Sequence, residues 1–247
     1  MIPGMERITK TFICQTCGAE VTMEIAAVFE NISISCAACA TKRREEDARA
    51  ELIEYRRKAV KRSGIADRYL VWDKQRASEI GSYLLLKWIS ERKYRSLWIA
   101  GTNGIGKTHA VSYAAYRMIV HHNTTALVIR SSEFLLEVVQ SRQGERDDIR
   151  RGQELVKDAL SCGILVLDDL GKEKLSPAKA EILWELIDQR ERAAKRIWIT
   201  TNISGGELER RLGDDYGPAI MERLRRACPE ECRWPTKSHT TQEIRHG

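Results

Sequence analysis

Apolar positions come in short runs along most of the chain, separated by charged stretches with helical periodicity. Residues 97–100, 126–129, 163–167 and 196–201 are each near-continuously apolar, with the length and composition of strands buried on both faces. The stretch 75–93 places Ile80, Leu84 and Trp88 at i, i+4 and i+8, an amphipathic helix expected to pack on a sheet. Residues 109–115 read as a helix that follows the first run, and Pro177 is placed to open another that runs through Ile182, Leu183 and Trp184 to Ile187. Strands alternating with helices predict an α/β fold: a three-layer sandwich on a parallel sheet, with any site at the C-terminal edge of the strands.

The pattern changes before residue 64. Residues 21–25 and 32–35 alternate in strand fashion, whereas 41–63 contain no glycine or proline and carry opposite charges at helical spacing, as in Glu45 and Arg49. That segment reads as a solvated connecting helix, and Ser63-Gly64 breaks it. The expected organisation is therefore a small module with its linker helix over 1–63 and a larger domain over 64–247.

Composition bounds the chemistry. Lys+Arg 41 against Asp+Glu 35 gives a net charge of +6. The first 63 residues hold 11 basic and 9 acidic side chains, so neither part is a basic arm and charge alone names no nucleic-acid binder. No apolar run approaches the roughly 20 residues of a membrane span, and the opening MIPGMERITK lacks the apolar core of a signal peptide. The expectation is a cytoplasmic protein without a membrane partner, whose cysteines are reduced thiols or metal ligands. Cys14-x2-Cys17 and Cys36-x2-Cys39 are two pairs separated by 18 residues. Two such turns can offer four thiolates to one Zn²⁺ in a closed tetrahedral site, a structural rather than catalytic role. Gly18 stands directly after the first pair, where the tight turn wants positive φ. Cys162, Cys228 and Cys232 complete no further pair and read as structural thiols.

The run at 97–100 leads straight into Gly101-Thr102-Asn103-Gly104-Ile105-Gly106-Lys107-Thr108, the G-x4-G-K-T loop, with a helix after it. Backbone N–H groups of such a loop cradle phosphate, and the helix N-terminus adds its positive dipole end. Lys107 supplies charge to the β/γ-phosphates and the Thr108 hydroxyl a ligand to Mg²⁺. The run at 163–167 ends in Asp168 and Asp169, placed to assist the metal and to orient or activate water respectively. The last run ends Thr200-Thr201-Asn202, which puts an amide where it can sense a γ-phosphate. ATP, Mg²⁺ and Zn²⁺ are the implied cofactors.

The succession GTNGIGKT, ILVLDDLG, WITTN and GPAIMERLRRAC resembles the AAA+ ATPases of the DnaC/DnaI type, bacterial replicative helicase loaders, and the related IstB-type transposition helpers. The resemblance covers roughly residues 64–234. It implies an ATPase that self-associates, engages single-stranded DNA and serves a hexameric replicative helicase. A zinc module ahead of the ATPase also looks like the DnaI arrangement, in which that module contacts the helicase. The late block then supplies an arginine finger, here Arg223, that acts on a neighbouring subunit's nucleotide. Two departures stand out. Asp169 replaces the glutamate common in related ATPases, one methylene shorter. Lys237-Ser238-His239 stands where the family tends to carry an arginine after a serine, so no second sensor is assigned; the 24 residues after Arg223, too few for the helical lid of initiator- or clamp-loader-type AAA+ proteins, fit the lid-less loaders. A transposition helper, or a nucleotide-gated DNA-binding adaptor with little hydrolysis, fits the same residues. The basic residues Arg190, Arg192, Lys195, Arg196, Arg210 and Arg211 are candidates for tracking single-stranded DNA, though each also fits a solvated helix face.

Overall fold

A computed structural model describes residues 7–26, 33–72, 82–172 and 174–234. By its internal contacts the chain divides into two compact units, Met1–Tyr55 and Arg56–Gly247.

The first unit is built on a hairpin of β1 (Arg7–Ile13) and β2 (Glu20–Ala26), antiparallel with Phe12 opposite Val21. The hairpin flanks the first cysteine pair. Its first strand was not among the sequence expectations, although Arg7–Ile13 alternates in exposure residue by residue. Residues 33–36 form no strand, contrary to the alternation expected over 32–35. Instead the Gln15 N–H donates to Ile34 O at 3.2 Å and the Gln15 amide to Ser33 Oγ at 2.9 Å, which turns the chain toward the second pair. Helix α1 (Ala37–Arg62) starts inside that pair, four residues earlier than the charge pattern suggests, and buries no residue.

In the second unit the last turn of α1 supplies Ala59 and Val60 to a core, and the Val128 N–H donates to Ser63 O at 2.7 Å. A 3-10 turn (Asp67–Tyr69) and α2 (Ser82–Glu91) precede β3 (Leu97–Ala100). The start of the expected 75–93 helix, Ile80 included, lies outside the described residues. Then follow α3 (Lys107–His122), β4 (Ala126–Arg130), α4 (Ser131–Ser141), α5 (Arg146–Ser161), β5 (Ile164–Asp168), α6 (Pro177–Arg192), β6 (Arg196–Thr201), α7 (Gly205–Leu212), α8 (Gly217–Ala227) and the short β7 (Arg233–Trp234).

The strands form one five-stranded sheet in the order β4-β5-β6-β3-β7, and every pairing is parallel. Side chains alternate between its faces. Leu97, Ile99, Ile164, Val166 and Trp198 pack with Leu85 and Ile89 of α2 and with Ala110, Val111, Ala114, Ala115, Met118 and Ile119 of α3. Trp98, Ala100, Leu165, Leu167, Ile197 and Ile199 face α4 through α8. The apolar residues of α3 recur at helical spacing, one stripe against the sheet. Pro177 does open α6, with Ser176 as its cap: the hydroxyl accepts from the Lys179 N–H at 3.4 Å. The three-layer α/β reading therefore holds. Parallel pairing brings the ends of β3, β5 and β6 to one edge, where the three sequence motifs meet.

Candidate functional site

The loop 101–106 connects β3 to α3, and Gly106, the residue before the helix, has φ 83°. That left-handed conformation is the reason glycine stands there. Lys107, the first residue of α3, is only 6% exposed. Its Nζ donates to Gly101 O at 2.8 Å, Thr102 O at 2.9 Å and Asn202 Oδ1 at 2.6 Å. Burial pushes its pKa down, opposed by the nearby charges of Asp169 and Asp168.

Thr108 Oγ1 donates to the Asp168 carboxylate, at 3.0 Å to Oδ1 and 2.9 Å to Oδ2. Thr200 Oγ1 donates to Asp168 Oδ1 at 2.6 Å, and Ser131 Oγ to Asp168 O at 2.9 Å. Asp168 is 4% exposed, and burial raises its pKa above the ordinary carboxylate value against the pull of the Thr200 and Thr108 bonds. Thr108 and Asp168 are hard oxygen donors side by side, the set that suits Mg²⁺. Asp169 adopts φ 56°, uncommon outside glycine and tolerated best by Asp and Asn. The fold holds it there: its N–H donates to Thr200 Oγ1 at 2.9 Å and the Leu170 N–H to Thr200 O at 2.9 Å. Asn202 joins the two halves, since its Nδ2 donates to Asp169 Oδ1 at 3.0 Å while its Oδ1 faces Lys107. Lys107 and Thr108 of α3, Asp168 and Asp169 at the end of β5 and Asn202 at the end of β6 thus form one hydrogen-bonded cluster, joined through Thr200.

Thr200 and Ser131 belong to this cluster and were not singled out from sequence. The doubled threonine before Asn202 was the available signal for the first. Ser131 had none, because its place depends on β4 lying beside β5 with Arg130 opposite Asp168. A crevice of about 370 Å³ runs from Thr108 and Asp168 along β4. Ser112 lines it at 1% exposure, and its Oγ has no hydrogen-bond partner among the described residues.

Arg223 stands apart from this cluster. On α8, its Nε donates to Asp188 Oδ1 of α6 at 2.8 Å, and its guanidinium lies 5.0 Å from the Trp184 ring centre. Of the late basic residues, Arg192 and Arg210 are exposed and pair with Asp188 and Glu207, while the other four bond to backbone within the fold. Arg190 is 1% exposed and donates to Ala159 O, Cys162 O and Arg196 O, tying α6 to the end of α5 and the start of β6. Lys195 Nζ caps α5 at Leu160 O and Ser161 O, and Arg196 reaches Gly163 O and Lys93 O. Arg211 binds Glu207, Gly171 O and Lys172 O. Residues 237–239 and 245 lie outside the described residues.

In the first unit, the Sγ atoms of Cys14, Cys17, Cys36 and Cys39 lie within 4.8 Å of one another, with Cys17 to Cys36 at 3.7 Å. Ligands about 2.3 Å from a tetrahedral Zn²⁺ stand roughly 3.8 Å apart, so the cluster fits that ion. Gly18, at φ 74°, closes the first turn through its N–H to Cys14 O at 2.9 Å. N–H groups, led by that of Cys36, bring the Cys14 thiol down to about 6, while the neighbouring thiols push Cys39 up to about 12. Cys162, Cys228 and Cys232 are buried and form no disulfide.

The family model described as IstB-like ATP binding protein matches residues 72–231. The crystal structure of the DnaC helicase loader superposes with a TM-score of 0.52 at 20% identity, covering 66% of this chain and 96% of that one. The crystal structure of DnaI gives 0.51 at 19% identity, over 73% and 92%. At these identities the likeness is one of fold, the AAA+ form of the P-loop sandwich. Uncharacterized protein YdaV of Escherichia coli (strain K12) is 22% identical over 125 residues, 51% of this chain and 47% of YdaV, so the chain spans about half the length of that relative. The family match extends over well more than half of the sequence, from ahead of the P-loop to beyond Arg223, and the chain belongs to the IstB-like ATP-binding proteins.

Proposed function

We propose that this chain is an ATP-hydrolysing helicase loader whose nucleotide is completed by a neighbouring subunit. The observation that carries the reading is the bonded cluster of Lys107, Thr108, Asp168, Asp169 and Asn202 at the ends of β3, β5 and β6. In this reading the N–H groups of Gly101, Thr102, Asn103, Gly104, Ile105 and Gly106 cradle the phosphates, and the Lys107 ammonium moves from loop carbonyls to phosphate oxygens. Thr108 and Asp168 would hold Mg²⁺, which supplies charge neutralisation when bound. Asp169 orients water, Asn202 responds to the γ-phosphate because it already contacts both Lys107 and Asp169, and Arg223 acts on the adjoining subunit's nucleotide. Cys14, Cys17, Cys36 and Cys39 would hold Zn²⁺ in a folding role.

The fold likeness to a DnaC helicase loader supports a loader role, and in this reading residues 1–63 grip a hexameric replicative helicase. Residues 64–247 would then handle ATP, self-association and single-stranded DNA. The test is steady-state ATPase with and without single-stranded DNA, together with co-purification of the helicase by the full chain and by Cys14→Ala/Cys17→Ala. DNA-stimulated turnover, with helicase capture lost in the cysteine variant, supports the reading. Absent turnover, or capture of nothing by the intact chain, counts against it. The family match favours one other role, a transposition helper acting with a transposase on duplex DNA. Retention of a transposase in place of the helicase decides for it.

A further inference from the structure

Arg223 is gripped in a manner that leaves one arm of its guanidinium uncommitted. Its Nε donates to Asp188 Oδ1 at 2.8 Å and its Nη1 to Ala219 O at 3.3 Å, whereas Nη2 makes no hydrogen bond among the described residues. An arginine beside a carboxylate commonly forms a two-pronged pair. Here the other oxygen of Asp188 is taken: Arg192 Nε lies 3.0 Å from Oδ2. Asp188 is 7% exposed and the Arg223 side chain 17%. One face of the guanidinium rests over Trp184, whose ring in turn lies 6.2 Å from that of Tyr216. The planar group is thus fixed at an edge by a carboxylate and over one face by an aromatic ring. Two guanidiniums share one carboxylate, so the group as a whole keeps positive charge.

We propose that Asp188 and Trp184, both on α6, are positioning residues that hold Arg223 by Nε and by its face, leaving Nη2 to donate to a phosphoryl oxygen in the adjoining subunit. This rests on the reading of Arg223 as acting on a neighbour's nucleotide. A fixed guanidinium gains its effect on a developing phosphoryl charge from not having to reorganise. A side chain freed from its platform loses that gain while the P-loop that binds ATP is untouched.

The test uses full-length chains in steady-state turnover at saturating Mg·ATP, alone and mixed with an excess of Lys107→Ala chains. Lys107→Ala supplies an intact Arg223 but a defective P-loop. Asp188→Ala is expected to lower kcat about a hundredfold with KM nearly unchanged, and mixing restores turnover because each Asp188→Ala P-loop then faces an undisturbed arginine. Should the alanine variant not fold, Asp188→Asn, which keeps an acceptor for Nε, carries the same test with a loss of about tenfold and the same repair. Arg223→Ala is the control. If its turnover is normal, or its loss is not repaired by mixing, the neighbour reading fails and this inference with it. If Arg223→Ala is repaired but the Asp188 variants turn over normally, or lose turnover that mixing does not restore, the inference alone is overturned.

Discussion

Lys107 bonds to two loop carbonyls and an amide oxygen, all neutral acceptors, and burial holds its pKa down while two carboxylates oppose that shift. A triphosphate is a stronger partner than any of the three. Lys107→Ala is therefore expected to weaken Mg·ATP binding by about a hundredfold, roughly 3 kcal/mol, measured by equilibrium titration. Asp168 carries the opposite strain. Its folded pKa is raised by burial, so the unfolded chain releases this proton first. Stability from this group is lost as pH rises from the ordinary value near 3.9 through the raised one, and the cost persists at pH 7. Asp168→Asn removes that cost. In nucleotide-free thermal melts at pH 7 the variant is expected to be as stable as wild type or more so, by about 1 kcal/mol, with the gap closing below the ordinary carboxylate pKa. A clearly less stable variant at pH 7 contradicts this. At this scale the cluster was legible because its members sit in fixed motifs at strand ends. Thr200, Ser131 and Asp188 were not, since each acquires its partner only through strand register or helix packing.

Helix α6 shows what sequence patterns conceal. Its apolar residues and opening proline were readable, yet Arg190 read as surface charge. The structure buries it under three carbonyls contributed by α5, β6 and the segment joining α5 to β5. A forked donor can reach separated acceptors at once, which an ammonium cannot. Arg190→Lys is expected to cost about 2–3 kcal/mol of stability in urea unfolding, with an unchanged dependence on urea; a loss under about 0.5 kcal/mol contradicts the assignment. The four longer apolar runs all became strands of one sheet, because continuous burial on both faces leaves a plain signature. Two-residue β7 has none: Arg233 and Trp234 join only because β3 offers an edge and Trp88 a ring, 5.5 Å from that of Trp234. In the first unit the hairpin flanks the cysteine turn, and the part of α1 that belongs to it contributes no buried residue. Metal should therefore supply much of that unit's folding energy. A strong chelator is expected to unfold it, read by loss of amide protection over residues 7–26, while the second unit's protection persists. Full protection after the metal is removed contradicts a structural zinc site.

On the scale of the whole molecule, Arg223 and the P-loop cluster occupy separate parts of one domain, with no hydrogen bond joining them among the described residues. If turnover needs both, it needs two subunits, and activity per chain should climb with chain concentration before levelling. A constant specific activity over a hundredfold dilution would place the whole reaction within one subunit. The fold, family and nucleotide motifs were open to reading in the sequence; the way Arg223 is held was not, because it depends on two helices meeting in space. Beneath all of this lies the claim that the loop between β3 and α3 receives a triphosphate. Calorimetric titration of the full chain with Mg·ATP tests it most directly: saturable binding near one nucleotide per chain, largely abolished in Lys107→Ala, is the predicted result. An intact, folded chain that takes up no ATP, or binds it equally well without Lys107, would contradict the account.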